Sequence, residues 1–215
     1  HRKRFADLLF EKFSDYQIIL MTHEYDWFQY IQQLAKRKQW LINEIKWNEK
    51  EGTYLEREPE TIKERIESNI AAGNIEIIGN LIRRYLESIL KEICTNMKVK
   101  VDFRYNNLNE KRMPDELLNE LISKINKHSN DLKAKRNIID RVISSNILSN
   151  ILSHDNPYTP SMGDIKALWT DIKELERLFY CNEEACKKPI MVNNYDPIKK
   201  EIRCHCGTVR YDWKL

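Results

Sequence analysis

Apolar residues recur at helical spacing near the start of the chain. Phe5, Leu8, Leu9 and Phe13 predict a helix over 3–13 with that face inward. A short apolar run, "QIILM", predicts a buried strand over 16–21. It stops at Thr22-His23-Glu24, and a second helix follows over 25–38 with Phe28, Ile31 and Leu34 inward. "QWLINEIKWNE", with Leu41, Ile45 and Trp47, reads as a second strand. Helix, strand, helix, strand is the order of an α/β layer. Two strands cannot make a stable doubly wound sheet, so further strands must come from elsewhere or the two must pair in another way.

"NEKEGTYLEREPE" has the polar, Gly- and Pro-containing look of a connector. The strongest periodicity lies over 74–97. There Ile78, Leu81, Ile82, Tyr85, Leu86, Ile89, Leu90 and Ile93 form a wide apolar stripe, which Cys94 joins as a small hydrophobe. "VKVDFRY" reads as a short extended piece. Pro114 suits the first turn of a helix carrying Leu117, Leu118, Leu121, Ile122 and Ile125. Another helix is predicted over 132–153, ending in the two-proline loop "SHDNPYTPS". Ser161 and Asp164 have capping-box spacing before a last helix with Ile165, Leu168, Trp169, Ile172, Leu175 and Phe179 inward. The expected fold class is α+β, mainly α: an α/β edge, a bundle of four or five helices, and a small C-terminal ribbon.

Composition narrows the setting. The 36 basic and 33 acidic residues give a formal net charge of +3, which neither demands nor excludes nucleic acid. Charged residues make up 32% of the chain, and the mean hydropathy is −0.66. No apolar run approaches the length of a membrane span, and no secretion signal is visible. A cytoplasmic protein with no membrane partner is the expectation.

Four of the five cysteines lie near the C-terminus, as "CNEEAC" (Cys181, Cys186) and "CHC" (Cys204, Cys206), followed by Gly207. Two close pairs can surround one tetrahedral ion, and the glycine lets the backbone turn toward the sulfurs. The spacing departs from C-x2-C, and His205 is an alternative ligand. Disulfides are disfavoured in a chain without a secretion signal. Structural zinc held by Cys181, Cys186, Cys204 and Cys206 is the expected cofactor. Four sulfurs leave no open position for catalysis.

The segment "HRKRFADLLFEKFSDYQIILMTHEYDWF" resembles the helix, strand and switch-histidine segment that follow the D-loop in ABC-type ATPases of the SMC/RecF group. The later helices, "SHDN" and the C-terminal cysteines resemble the tails of large bacterial ATPases of this group, several associated with phage defence. The resemblance implies that His23 is a catalytic switch histidine contacting the γ-phosphate and helping to place the attacking water. Thr22 and Glu24 would support it, with Glu24 standing where Asp is commoner. It also implies that the Walker A, signature and Walker B motifs, none of which occurs here, lie upstream. ATP and Mg would bind only with that upstream sequence. The implied partners are the remainder of the ATPase head and a second copy in a homodimer.

Two other readings bear on the helical region and the ribbon. "NILSHDNP" is similar to part of HEPN-type helical domains, many of them ribonucleases with an R-x4-6-H motif. Five places before His154 stands Ser149, and Arg141 is too distant, so the motif is broken. Asn150 and His154 remain a candidate polar site, and His154 also suits the end of a helix, where its charge meets the dipole. Arg83, Arg84 and Glu87 are candidates to face it. Lys187, Lys188, Lys199, Lys200 and Arg203, with Tyr195, Tyr211 and Trp213, make the ribbon a candidate contact for DNA, RNA or an effector protein.

The expected organisation is thus an ATPase-head edge over 1–50, a connector over 51–73, a helical bundle over 74–178 and a zinc ribbon over 179–215. The expected function is to complete an ATP site through His23 and to present the bundle and ribbon to nucleic acid or an effector, in phage defence. The competing readings are a non-catalytic helical interaction module or a HEPN-like ribonuclease with a degenerate motif.

Overall fold

The computed structural model describes residues 2–13, 15–37, 40–57, 59–105, 108, 112–153 and 160–215. The chain is mixed α+β, mainly α, and forms two compact units, 1–68 and 69–215.

The first unit contains α1 (Arg2–Lys12), α2 (Tyr25–Arg37), the strands β1 (Asn43–Asn48) and β2 (Gly52–Arg57), and most of α3 (Ile62–Ala72). Its small core gathers Phe10, Ala35 and Ile42 with Phe28, Ile31, Leu34 and Trp40. The inward face of α2 is the one the sequence predicts. That of α1 is not: Ala6 and Phe10 are buried, while Phe5, Leu8 and Phe13 are exposed. Phe10 packs on Trp40 with ring centroids 4.3 Å apart, and this contact sets the rotation of the helix.

Residues 17–24 form no strand. A strand needs a neighbour to take its backbone hydrogen bonds, and none lies beside this segment among the described residues. Ile19 and Met21 are each 82% exposed. The second expected strand exists as β1, but its partner is β2, which arises inside the expected connector. The two are antiparallel, with Ile45 opposite Leu55 and Trp47 opposite Thr53. Asn48 Oδ1 accepts from the amides of Lys50 and Glu51, and Gly52 takes φ +69° to close the turn. A hairpin therefore replaces the two strands of an α/β layer. Its faces are inverted relative to a covered sheet. Ile45, Trp47 and Leu55 are exposed, while Lys46, paired with Glu56 and Glu44, lies on the half-buried side.

The second unit is a helical bundle with a ribbon against it. It is built from α4 (Ile75–Asn96), α5 (Pro114–His128), α6 (Asn130–Ala134), α7 (Arg136–Ser153) and α8 (Met162–Phe179). Every position of the α4 stripe is buried, from Ile78 to Ile93, with Cys94 beside it. This helix packs on α5, α7 and α8, and Tyr85 meets Trp169 edge-on at 5.3 Å. Pro114 opens α5, whose five predicted apolar positions are all buried. Ser161 and Asp164 form the predicted capping box of α8. The expected single helix over 132–153 is two, because the chain breaks at Lys135. Within α7, fully buried Asn146 donates to Asp115 Oδ1 at 2.7 Å. No strand forms over "VKVDFRY"; Arg112 instead pins this stretch, donating to the Asp102 carbonyl and to Glu116. Among the described residues no helix is long and apolar enough to cross a membrane.

The strands β3 (Met191–Asp196), β4 (Glu201–Arg203) and β5 (Arg210–Asp212) form one antiparallel sheet in that order. Tyr195 lies opposite Ile202, which lies opposite Tyr211.

Candidate metal centre

Two turns bring the C-terminal cysteines together. The first leaves the end of α8. Ile190 N donates to the Phe179 carbonyl at 2.8 Å, and Cys181 N to the Lys188 carbonyl at 3.1 Å, closing the loop over 181–188. Inside it, Cys186 N donates to the Glu183 carbonyl at 2.9 Å. The second turn joins β4 to β5. Cys204 N donates to the Val209 carbonyl at 3.0 Å, and Gly207 N to the Cys204 carbonyl at 3.2 Å. Gly207 has φ +80°, a conformation that glycine adopts without steric cost.

The four sulfurs of Cys181, Cys186, Cys204 and Cys206 all lie within 4.8 Å of one another. Cys206 Sγ is 3.5 Å from both Cys181 Sγ and Cys204 Sγ. Zinc–sulfur bonds of about 2.3 Å in a tetrahedron place neighbouring sulfurs about 3.8 Å apart. A disulfide needs about 2.05 Å, so these are free thiols, close enough together to hold a metal ion. Cys181, Cys186 and Cys204 are buried and Cys206 is exposed. The Val209 amide points at Cys204 Sγ from 3.4 Å.

The environments of the sulfurs differ. Burial pushes the Cys181 thiol up to about 12; the Glu183 amide opposes this, and hydrogen bonds that Cys181 donates to its neighbouring sulfurs add to it. The Thr208 hydroxyl and amide lower Cys206 to about 6. Four thiols, three of them buried, that must all ionise to bind one cation fit a divalent soft-ligand metal. The four cysteines would hold it, and it would supply a structural crosslink between the two turns. The remaining cysteine, Cys94, lies in α4 with its sulfur 3.7 Å from the Leu117 carbonyl, and burial pushes its thiol up to about 12. His205 is exposed and outside the sulfur cluster.

The other sequence-predicted positions lie each in its own unit. His23 is exposed just before α2. Thr22 Oγ1 accepts from Glu24 N at 3.0 Å, and the Glu24 carbonyl accepts from Phe28 N at 2.9 Å, so both neighbours shape the helix start. Asn150 lies in α7 with its side chain outside the described residues, and His154 is outside them altogether. Arg83 pairs with Glu87 at 3.0 Å on α4. Tyr211 and Trp213 are buried, so neither is offered to a base as a stacking platform.

A seam that the sequence does not announce fixes the ribbon to the bundle. Asp212 accepts from Ser129 Oγ at 2.8 Å and from the amides of Asn130 and Asp131 at 3.0 and 2.9 Å. Asp131 in return accepts from Asp212 N at 3.0 Å. Trp213 stacks on His128 at 5.1 Å, and Lys214 N donates to the His128 carbonyl. Ser129-Asn130-Asp131 is a visible cap sequence, but its carboxylate partner lies some eighty residues away.

Burial opposes ionisation of Asp212, but the amides of Asp131 and Asn130, the Ser129 hydroxyl and Lys214 outweigh it and hold the carboxyl below its ordinary value. Its contribution is therefore present above the unfolded carboxylate pKa of about 3.9 and lost as pH falls through the lower folded value. Asp212→Asn is expected to lower stability at pH 7 by about 1–2 kcal/mol, as loss of a helix cap does. Melts of both proteins from pH 7 to pH 3.5 check this. The gap narrows at the acid end, and a constant gap would exclude the charge as its source.

The fold and cluster define a mainly helical α+β protein with a four-cysteine candidate metal centre. No protein-family model, curated protein or solved structure matches the chain.

Proposed function

We propose that residues 179–215 are a zinc ribbon whose metal is structural. We further propose that ribbon and bundle form a recognition module in the C-terminal part of an SMC/RecF-like ABC-type ATPase. The observation that carries the module is the sulfur cluster, set on two turns of a ribbon whose β5 meets the start of α6. The ATPase assignment rests on the resemblance of the segment ending in Thr22-His23-Glu24. It gains support from the apolar positions that the first unit leaves exposed, among them Ile19, Met21, Ile45, Trp47 and Leu55. Such positions suit a fragment whose sheet is completed and covered by the rest of an ATPase head. In that setting His23 completes the ATP site, two heads pair, and the module faces nucleic acid or an effector, with phage defence as its setting.

The experiment is His23→Ala in the complete ATPase. Turnover is expected to fall by about 10²–10⁴-fold, the usual contribution of a positioned acid–base group. A second reading keeps the module and gives His23 no chemistry. It is favoured by the exposure of His23 and by the local role of Thr22. Unchanged turnover selects that reading.

A further inference from the structure

The ribbon–bundle seam gathers lysines in excess of the acids beside them, Asp212 near Lys214 and Asp196 near Lys199. A cleft of about 450 Å³ opens beside β5, its lining including Lys199, Lys200 and Lys214 with Tyr195, Asp212 and Trp213. Asp212 is the acid of the cleft, and both its oxygens are engaged by the donors that begin α6. The basic surface continues past Trp213. Lys124 Nζ sits 5.9 Å over that ring. Burial, and then the ammonium groups of Lys100, Lys127 and Lys98, hold Lys124 below its ordinary value. None of these seven lysines joins the ion pairs of the described residues.

Lys98 and Lys200 both have φ +52°, a left-handed conformation that favours glycine or asparagine. Lys98 follows the end of α4, and Lys200 sits in the turn between β3 and β4. Two lysines of this surface thus occupy strained backbone positions. The third such lysine, Lys187, differs, because its amine is held by the Asn182 carbonyl and by Glu184.

We propose that this seam binds the phosphate backbone of nucleic acid without reading sequence. The inference deepens the recognition-module reading and rests on the ribbon being docked as described. Compact ammonium charges suit phosphates, and no arginine fork lines the cleft to read a base edge. An acidic protein is a poorer fit. Protein interfaces are depleted in lysine and rely on aromatic or arginine anchors, whereas Trp213 and Tyr211 are buried here.

The test is fluorescence anisotropy of the protein with a labelled 30-base-pair DNA duplex and with a 30-nucleotide RNA, across a salt series. Each phosphate contact on a duplex contributes about −0.9 to the slope of log K against log salt. Lys199→Gln/Lys200→Gln/Lys214→Gln is expected to weaken binding at least tenfold and to reduce that slope by about 3. Lys12→Gln/Lys91→Gln/Lys166→Gln removes the same charge from exposed sites elsewhere and is expected to change both little. Equal losses from the two triple variants, or no binding at low salt, would overturn the proposal. ATP and polyglutamate serve as competitors. Competition by ATP at equal phosphate concentration would indicate a free-phosphate site, and equal competition by polyglutamate an acidic-protein surface; either overturns it. Zinc content is measured on every preparation. Metal-free protein that still shows the lysine-dependent slope would remove the zinc reading alone.

Discussion

Cys204→Ser is expected to abolish metal binding and to unfold the ribbon while the helical bundle stays folded. Cys204 is almost wholly buried, and its sulfur sits 3.5 Å from Cys206 Sγ with the Val209 amide directed at it. Serine places a poor, protonated ligand there. The ribbon has little else to fold around, because β4 and β5 are three residues each. Sheets this small do not stand alone in water. Structural zinc supplies about 10–16 kcal/mol of apparent binding energy in small domains, so its loss exceeds anything the seam can restore. The bundle keeps its own core on α4, α5, α7 and α8. Hydrogen exchange gives the readout. Protection is lost over 190–213 and retained in α4, and tryptophan emission shifts red as Trp213 leaves its buried site. Native protection over 190–213 in the variant would show that the sulfur cluster does not hold the ribbon.

Phe179→Ala has the second-largest expected effect. Phe179 ends α8 and is 1% exposed, and its carbonyl receives the hydrogen bond from Ile190 that closes the first cysteine turn. Truncating a buried phenylalanine costs about 3–5 kcal/mol, from lost transfer energy and the cavity left behind. For a chain of this size that lowers the melting temperature by roughly 6–20 °C. Zinc affinity falls with it, because the cavity opens beside the turn that positions Cys181 and Cys186. Phe103, 86% exposed, gives the contrast: Phe103→Ala should stay within about 0.5 kcal/mol of the parent. Equal losses from both would mean that Phe179 is not packed as described.

The bundle was readable because its signals are local and periodic. The α4 stripe repeats at three and four, Pro114 marks a first turn, and Ser161 with Asp164 spells a cap. The cysteine pairs were readable because few other arrangements bring four thiols together in a short segment. The first unit was harder. Its apolar residues outnumber what its own core covers, so periodicity chose Phe5, Leu8 and Phe13 for the inward face of α1 when Ala6 and Phe10 take it. The run over 17–21 has strand composition but, among the described residues, no neighbouring strand, and composition cannot supply one. The β1–β2 hairpin was hidden because its exposed face is the apolar one. The seam between Asp212 and the start of α6 depends on hydrogen bonds between distant residues, which leave no period in the sequence.

Elemental analysis of the protein, purified without chelator and under reducing conditions, tests the central claim most directly. The account predicts one zinc per chain, released when the four thiols are blocked or the pH is lowered, because each ligand must give up its proton to bind. Protein with a native ribbon and no metal, or with disulfides among Cys181, Cys186, Cys204 and Cys206, would contradict it.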